Sequence, residues 1–518
     1  MFSNAKVRSM SRAASFDAGR MKPWWMRASI SIVMLACSLV AIEAFGQPPS
    51  ATTSKEASLH DVVSASGATS PQAQPKNAIP AWRTKVEHWI AAQRTQHPIV
   101  RSMSLPEDIS VELRTKAQVG EYVDGFLDAS AREMLASQEK ILRTLDVLRT
   151  KKLYEEVLRE LLVREVSGYY EPEDQTLYLV ADRVEELDAA VVIHELQHLA
   201  QDMAWDLRKL LRPDWHQSDL LGARSALVEG DAMFTHVSAV NRGNPSYLRL
   251  KDVDAMRQGV QNINATLVDR YPRFVLDQLT MPYVEGLAFA RIIYAYDGWH
   301  GLNDVYNIPP MSTAEILLPE RYRKQVHPVF LHYNLELPSP QTRRYTDVWG
   351  MMTLRHIFYA IAAPEYEDAS NLIGTIDHAT AGWMGDRIEL WEDRRGKDRH
   401  ITWLIALSDA DQAQELFELM TTLFAPLMDV PWRCAQGVHG QHCGRADAQR
   451  GMMLEQWGDM VLWAYAQSRN ASALEEKLLA MADCVFSSVR RTTYPDMWRY
   501  HTLAHVPARA PDKDTAMD

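Results

Sequence analysis

The sequence predicts a mostly α fold of the α+β class, and three observations carry that expectation. Apolar residues recur at helical spacing over long stretches, such as Ile141, Leu142, Leu145 and Leu148, then Leu153, Val157 and Leu161. Aromatic and β-branched runs flank polar turns in only two places, which predicts short hairpins. Gly-rich repeats and heptad arrays are absent, which removes the fibrous and solenoid classes. With 518 residues and 47% hydrophobic content, the chain can bury a sizeable core. The 55 Lys and Arg against 67 Asp and Glu give a formal net charge of −12. Such a chain is a poor match for phosphate backbones, so nucleic acid is not expected as a partner. Nor does a basic track accompany the 15 tryptophans, which read as core and cleft lining.

The elements follow in order. Residues 28–45 form an apolar run behind Lys22 and Arg27, ending near Ala44-Phe45-Gly46, a small-x-small site. This is the grammar of a secretory signal peptide, so residues 1–46 are expected to be removed and the protein exported to the periplasm or cell envelope. A start at Met21 would give the basic stretch a normal length. Two rival readings stay open: lipoprotein cleavage at Cys37, and an uncleaved anchor. The anchor is disfavoured because Glu43 interrupts a run shorter than the ~20 residues a span needs. Membrane contact is expected only under these two rivals. Residues 47–80, rich in Ser, Ala, Thr, Gln and Pro without apolar period, read as a flexible linker.

From residue 81 the pattern is helical, with long runs over residues 107–166. Gly168 ends them, and Tyr169 to Val180 reads as a hairpin about a Pro-Glu-Asp turn. Helices are expected from about Glu185 to Leu211, stopped by Pro213, and from about Leu220 to Val240. A second hairpin is expected between Arg387–Trp391 and His400–Ile405, then a helix over Asp409 to Leu423. Two lobes are expected, 81–340 and 341–518, parting near residues 335–350. The second should be mostly helical with one hairpin.

His194-Glu195-Leu196-Gln197-His198 is an HExxH motif. Residues i and i+4 lie one above the other on a helix, so both imidazoles can reach one metal. Glu195 sits beside the first ligand, where a carboxylate can take a proton from activated water. Apolar Val191, Val192, Ile193 and Leu199 suit a buried helix. A catalytic zinc usually takes three protein ligands. The metzincin continuation needs Gly at position 201 and His at 204, where this chain has Gln201 and Ala204. The third ligand is therefore expected from a glutamate on the next helix, Glu229. Ser225, Ala226 and Gly230 surround it and would let that helix approach the first. One Zn2+ per chain follows, held by His194, His198 and Glu229. Asp202, one turn past His198, is a candidate acceptor orienting a ligand imidazole. Cys434 and Cys443 bracket a loop carrying His439 and His442. The spacing fits no common zinc pattern, and an exported chain favours a disulfide there over a second metal site. Cys484, in an apolar helix, is expected to be buried.

Together these segments resemble a poorly characterised group of bacterial, mostly exported zinc metallopeptidases of gluzincin type, over about residues 150–420. The patches that carry the likeness are Gly168 to Pro172, His194 to Met203, Ala226 to Ala232, Pro309 to Tyr322 and Gly382 to Arg387. Leu199, Ala200 and Met203 depart from the group's pattern, and Leu318 stands where the group has histidine. The resemblance implies a zincin-like helical core and a zinc peptidase with His194, His198 and Glu229 as ligands and Glu195 as general base, acting on a peptide or protein. Tyr283, Tyr322, His378 and Arg387 are candidates for the donor that steadies a developing oxyanion. A rival reading is a catalytically silent zinc protein serving as an envelope binding or assembly factor, which Leu318 favours. An aminopeptidase lacks its Gly-x-Met-Glu-Asn anchor here.

Overall fold

The computed structural model describes residues 80–493, apart from 213, 215, 241–242, 338–340, 363–368 and 469–473. The signal segment 1–46 and the linker 47–80 (Pro80 excepted) lie outside the described residues, as does Pro213. The fold is mostly α with several sheets, the α+β class the periodicity predicts.

Helix α1 (Ala81–Val100) leads into strand β1 (Ser110–Arg114). Helices α2 (Lys116–Phe126), α3 (Ala129–Thr144) and α4 (Tyr154–Glu165) follow. The Thr115 hydroxyl caps α2 by accepting from Gln118 N, and the Asp128 carboxylate caps α3 by accepting from Ala131 N. Strand β1 interrupts a region whose periodicity reads as helix throughout. Its partner lies far along the chain, so local pattern cannot show it.

The first expected hairpin is β2 (Gly168–Glu171) and β3 (Thr176–Val180). It joins β1 in a three-stranded sheet of order β1-β3-β2, with β1 parallel and β2 antiparallel to β3. Every residue of β2 and β3 is buried. Successive side chains alternate between two cores: Tyr169, Tyr178 and Val180 enter one, and Tyr170, Leu177 and Leu179 enter the other.

Helix α5 (Ala189–Trp205) carries the HExxH motif. The expected continuous helix to Leu211 breaks at Asp206, whose φ of 52° is left-handed. Aspartate tolerates that conformation, and the short α6 (Leu207–Leu210) resumes beyond it. Helices α7 (Ser218–Val240), α8 (Leu250–Leu267) and α9 (Arg273–Asn307) complete the helical core around α5. Pro282 lies inside α9, which kinks later, at Gly298.

Short helices α10 (Thr313–Leu317) and α11 (Pro319–Arg323) and strand β4 (Phe330–His332) lead to the second part. Here the expectation of one hairpin among helices is corrected. The centre is a seven-stranded antiparallel sheet of order β5-β6-β7-β11-β10-β9-β8. Its strands are β5 (Thr342–Asp347), β6 (Trp383–Glu392), β7 (Arg399–Leu407), β8 (Arg433–Gln436), β9 (Gln441–Ala446), β10 (Arg450–Trp457) and β11 (Met460–Gln467). Helices α12 (Gly350–Ala362), α13 (Ala369–Thr380) and α14 (Ala410–Leu423) lie between these strands in the chain. Helix α15 (Leu474–Ser488) and strand β12 (Arg490–Thr492), which pairs with β4, follow them. Most of β10 and all but the last residue of β11 are buried, because both faces of the sheet are covered. Such runs lose the alternation that marks a strand in a sequence.

One face of the sheet, with Trp403 and Trp463, shares a core with residues of α2 to α4. The other, with Leu404 and Leu462, packs on α15. The chain on either side of residue 340 is thus joined by a common core, and Lys140–Glu392 and Gln138–Tyr345 tie α3 to the sheet. Cys434 and Cys443 face each other across β8 and β9 and are disulfide-bonded. Cys484 is a free, half-buried thiol rather than a fully buried one. Among the described residues no helix is long and apolar enough to cross a membrane.

Candidate metal centre

Helix α5 begins where the Asp188 carboxylate accepts from Ala190 N, and it runs through the core so that residues 190–202 are all buried. His194 and His198 project toward α7, which supplies Glu229 from its own buried middle. The three ligand atoms meet. His194 Nε2 lies 3.0 Å from His198 Nε2 and 3.2 Å from Glu229 Oε2, and His198 Nε2 lies 3.4 Å from the same oxygen. Ligand atoms about 2.0–2.1 Å from a tetrahedral ion stand about 3.3 Å apart, so this triangle is the size one face of such a site requires. The tautomer agrees. His198 Nδ1–H donates to Gln201 Oε1 at 2.8 Å, which leaves the Nε2 lone pair aimed at the triangle. His194, His198 and Glu229 can hold one metal ion, and among the described residues they are the one such group of three.

The small residues flanking Glu229 act differently from expectation. A Cβ on Gly230 would stand 2.0 Å from the backbone carbon of Gly286, and one on Gly286 would stand 2.0 Å from Ala226 O. The close crossing is therefore between α7 and α9, not between α7 and α5. It brings Tyr283 of α9 beside the centre, its ring stacked 6.1 Å from that of His194. Among the described residues the buried Tyr283 hydroxyl has no partner, and burial pushes its pKa well up.

Glu195 is only 1% exposed. Its Oε2 accepts from Tyr170 N at 2.8 Å, so the edge of β2 pins the carboxylate. Burial raises its pKa. His236, two turns beyond Glu229, is buried and its Nδ1 has no partner among the described residues. Burial first, and then His194, push its pKa down to about 3.

Asp202 does not orient an imidazole. It accepts from the Tyr170 hydroxyl at 3.0 Å and from Leu207 N at 2.9 Å, where the helix restarts after Asp206. The orienting acceptor is Gln201, whose Nε2 donates to Val228 O, Asp231 Oδ2 and the Tyr306 hydroxyl. Asp231 also receives Gln197 Nε2 at 3.0 Å and both Nε and Nη2 of Arg101, at 2.7 and 3.0 Å. Burial acts to raise the Asp231 pKa, but Arg101 and these donors outweigh it and hold the group ionised. The signal for this network was available: Gln197 and Gln201, at i and i+4 in a helix whose remaining positions suit burial, are amides that demand partners.

The other candidates are engaged by partners outside the ligand triangle. The Tyr322 hydroxyl donates to Ile308 O. Arg387 pairs with Glu389 in β6, and the exposed His378 pairs with Glu415. Leu318 packs its side chain on the core shared with the sheet. His439 pairs with Asp483 rather than joining His442 in a second metal group.

Comparison with known families gives one match. A domain of unknown function (DUF8575) matches residues 339–476, which span the chain from β5 to the start of α15 and contain none of the metal-centre residues. No curated protein and no solved structure matches the chain.

Proposed function

We propose that this protein is a zinc-dependent peptidase, acting as an endopeptidase on protein or peptide substrates. The observation that carries the reading is the convergence of His194, His198 and Glu229 within bonding range of one ion, with Glu195 next in sequence to the first ligand. When bound, zinc supplies Lewis acidity that activates water and polarises a peptide carbonyl. Glu195 takes the proton released at that point and delivers it to the leaving amine, and its bond from Tyr170 N fixes the carboxylate for both steps. Of the four residues considered for the oxyanion, Tyr283 is the one supported by position, since its ring lies against His194 and its hydroxyl has no protein partner.

The test is metal analysis of purified protein, together with digestion of casein or a peptide library, with wild type beside Glu195→Gln. One zinc per chain and cleavage that depends on Glu195 are expected. The near-complete burial of all four residues favours a second reading, a silent zinc protein that binds or assembles envelope components. Stoichiometric zinc without any cleavage would decide for it. Export rests on residues 1–46 alone, and N-terminal sequencing of protein from the envelope fraction tests it.

A further inference from the structure

We propose that the cleft where α8, α9, α12 and α13 meet binds a small zwitterion with an apolar side chain, an amino acid or dipeptide, at a site separate from the metal centre. The cavity holds about 300 Å3, the lower end of the range for small-molecule sites. Two polar atoms in its lining are buried without partners. Asn264 gives its Nδ2 to Asp277 and Thr280, which leaves Oδ1 unpaired, and His356 Nδ1 is likewise unpaired. Both residues are more than nine-tenths buried. Both atoms belong to lining residues but neither opens to the cavity, so the ligand's class is read from the charged groups that do.

The charges give the ligand's class. Arg257, Arg273 and Arg355 line the cavity together with Asp277, Glu285 and Asp377, a balanced set. A polyanion gains nothing from such a lining, whereas a ligand carrying both charges matches it. Open donors and open acceptors are both present. Arg257 is spent on Glu285 and Asp254. Arg273 commits only Nε, to Asp277, and its two terminal amino groups keep the fork geometry that receives a carboxylate. Asp377 takes Arg355 and the Tyr359 hydroxyl on Oδ1 and keeps Oδ2 for an ammonium group. Val284, Leu317, Met352 and Ile373 form an apolar wall for the side chain. One helix separates the two sites: α9 carries Tyr283 to His194, while Val284 and Glu285, next in sequence, line the cleft.

The test uses full-length Glu195→Gln protein, which should not hydrolyse the probe, and calorimetric titration with L-leucyl-L-leucine, its N-acetyl form and its C-terminal amide. The free dipeptide should bind, and each blocked form should bind about tenfold more weakly or worse, the loss expected for one charge-assisted contact. Arg273→Gln should lose the preference for a free carboxylate but keep that for a free amine. Ile373→Trp, which fills the cavity, should abolish binding with the circular dichroism spectrum unchanged, and it decides the matter even if Arg273→Gln misfolds. His194→Ala should leave binding intact. No binding at millimolar dipeptide, equal binding of the blocked forms, or binding that survives Ile373→Trp and vanishes in His194→Ala would overturn the assignment. None of these outcomes depends on peptidase activity.

Discussion

His198 Nδ1 stands 2.8 Å from Gln201 Oε1, the acceptor that fixes which imidazole nitrogen faces the metal triangle. An amide serves here where a carboxylate is more usual. It is itself held at the nitrogen end by Asp231, Tyr306 and the backbone of α7, so it cannot flip without breaking all three contacts.

Gln201→Leu removes that acceptor while keeping side-chain bulk. Metal affinity should fall about 10- to 100-fold, the usual cost of losing such a partner, with helix content unchanged. Competition against a chelator of known affinity measures it. Unchanged affinity would show that packing alone orients His198.

Glu229 and Glu195 are both buried carboxylates at the centre, yet different losses are expected. Glu229→Gln should weaken metal binding and lower activity through metal loss, with partial recovery in excess zinc. Glu195→Gln should retain metal and lose hydrolysis by ~10²-fold or more, without recovery. Metal content and turnover must come from the same samples. The reverse pattern would show that the ligand and base roles are wrongly assigned.

Gly230→Ala places a methyl group 2.0 Å from the Gly286 backbone. The helices α7 and α9 must separate, at a cost of roughly 1–3 kcal/mol or more, and Glu229 moves with them. A lower unfolding temperature together with weaker metal binding is expected. Ala223→Gly, on the same helix, should lower stability without the metal effect.

Asp219 is 3% exposed, and burial raises its pKa to about 8, although the Thr313 amide and hydroxyl pull the other way. The folded state therefore binds a proton more tightly than the unfolded state, where the carboxyl titrates near 4. Between about pH 4 and pH 8 the unfolded chain gains stability by ionising, so folding stability falls as pH rises, by up to about 1.4 kcal/mol per pH unit for this one proton. Asp219→Asn should flatten that slope. Denaturant titrations at several pH values check it, and an unchanged slope would show that Asp219 is ionised when folded.

His194 and His198 and the helices of the core were legible because helix periodicity and HExxH spacing are local properties, whereas Glu229 was reached by excluding a third histidine and seeking a carboxylate on the next helix. The hairpin at Tyr169 was legible because its turn is local too. What escaped was long-range. Strand β1 pairs with residues beyond three intervening helices. Strands β10 and β11 are buried on both faces, which erases the alternation a reader looks for. Asp202 looked like the orienting group because it sits one turn past His198, but the left-handed Asp206 turns the chain and leaves Leu207 N in need of its carboxylate. The small residues around Glu229 were expected to let α7 approach α5, but Ala226 and Gly230 meet α9 instead. The partner they approach, Gly286, could be known only from the packing of α9.

The ion pair between Arg101 and Asp231 is 0% exposed on both sides and bridges 130 residues. Its expected consequence is one of timing. Until the end of α1 docks, Asp231 is a buried charge without its counter-ion, which opposes closure of the core around Gln201 and His198. A nascent chain that has completed α5 and α7 has all three ligands in hand but no rigid cage for them. Metal capture should thus be among the last events of folding, and its rate in a refolding experiment would report the docking of α1 rather than the formation of the ligand helices.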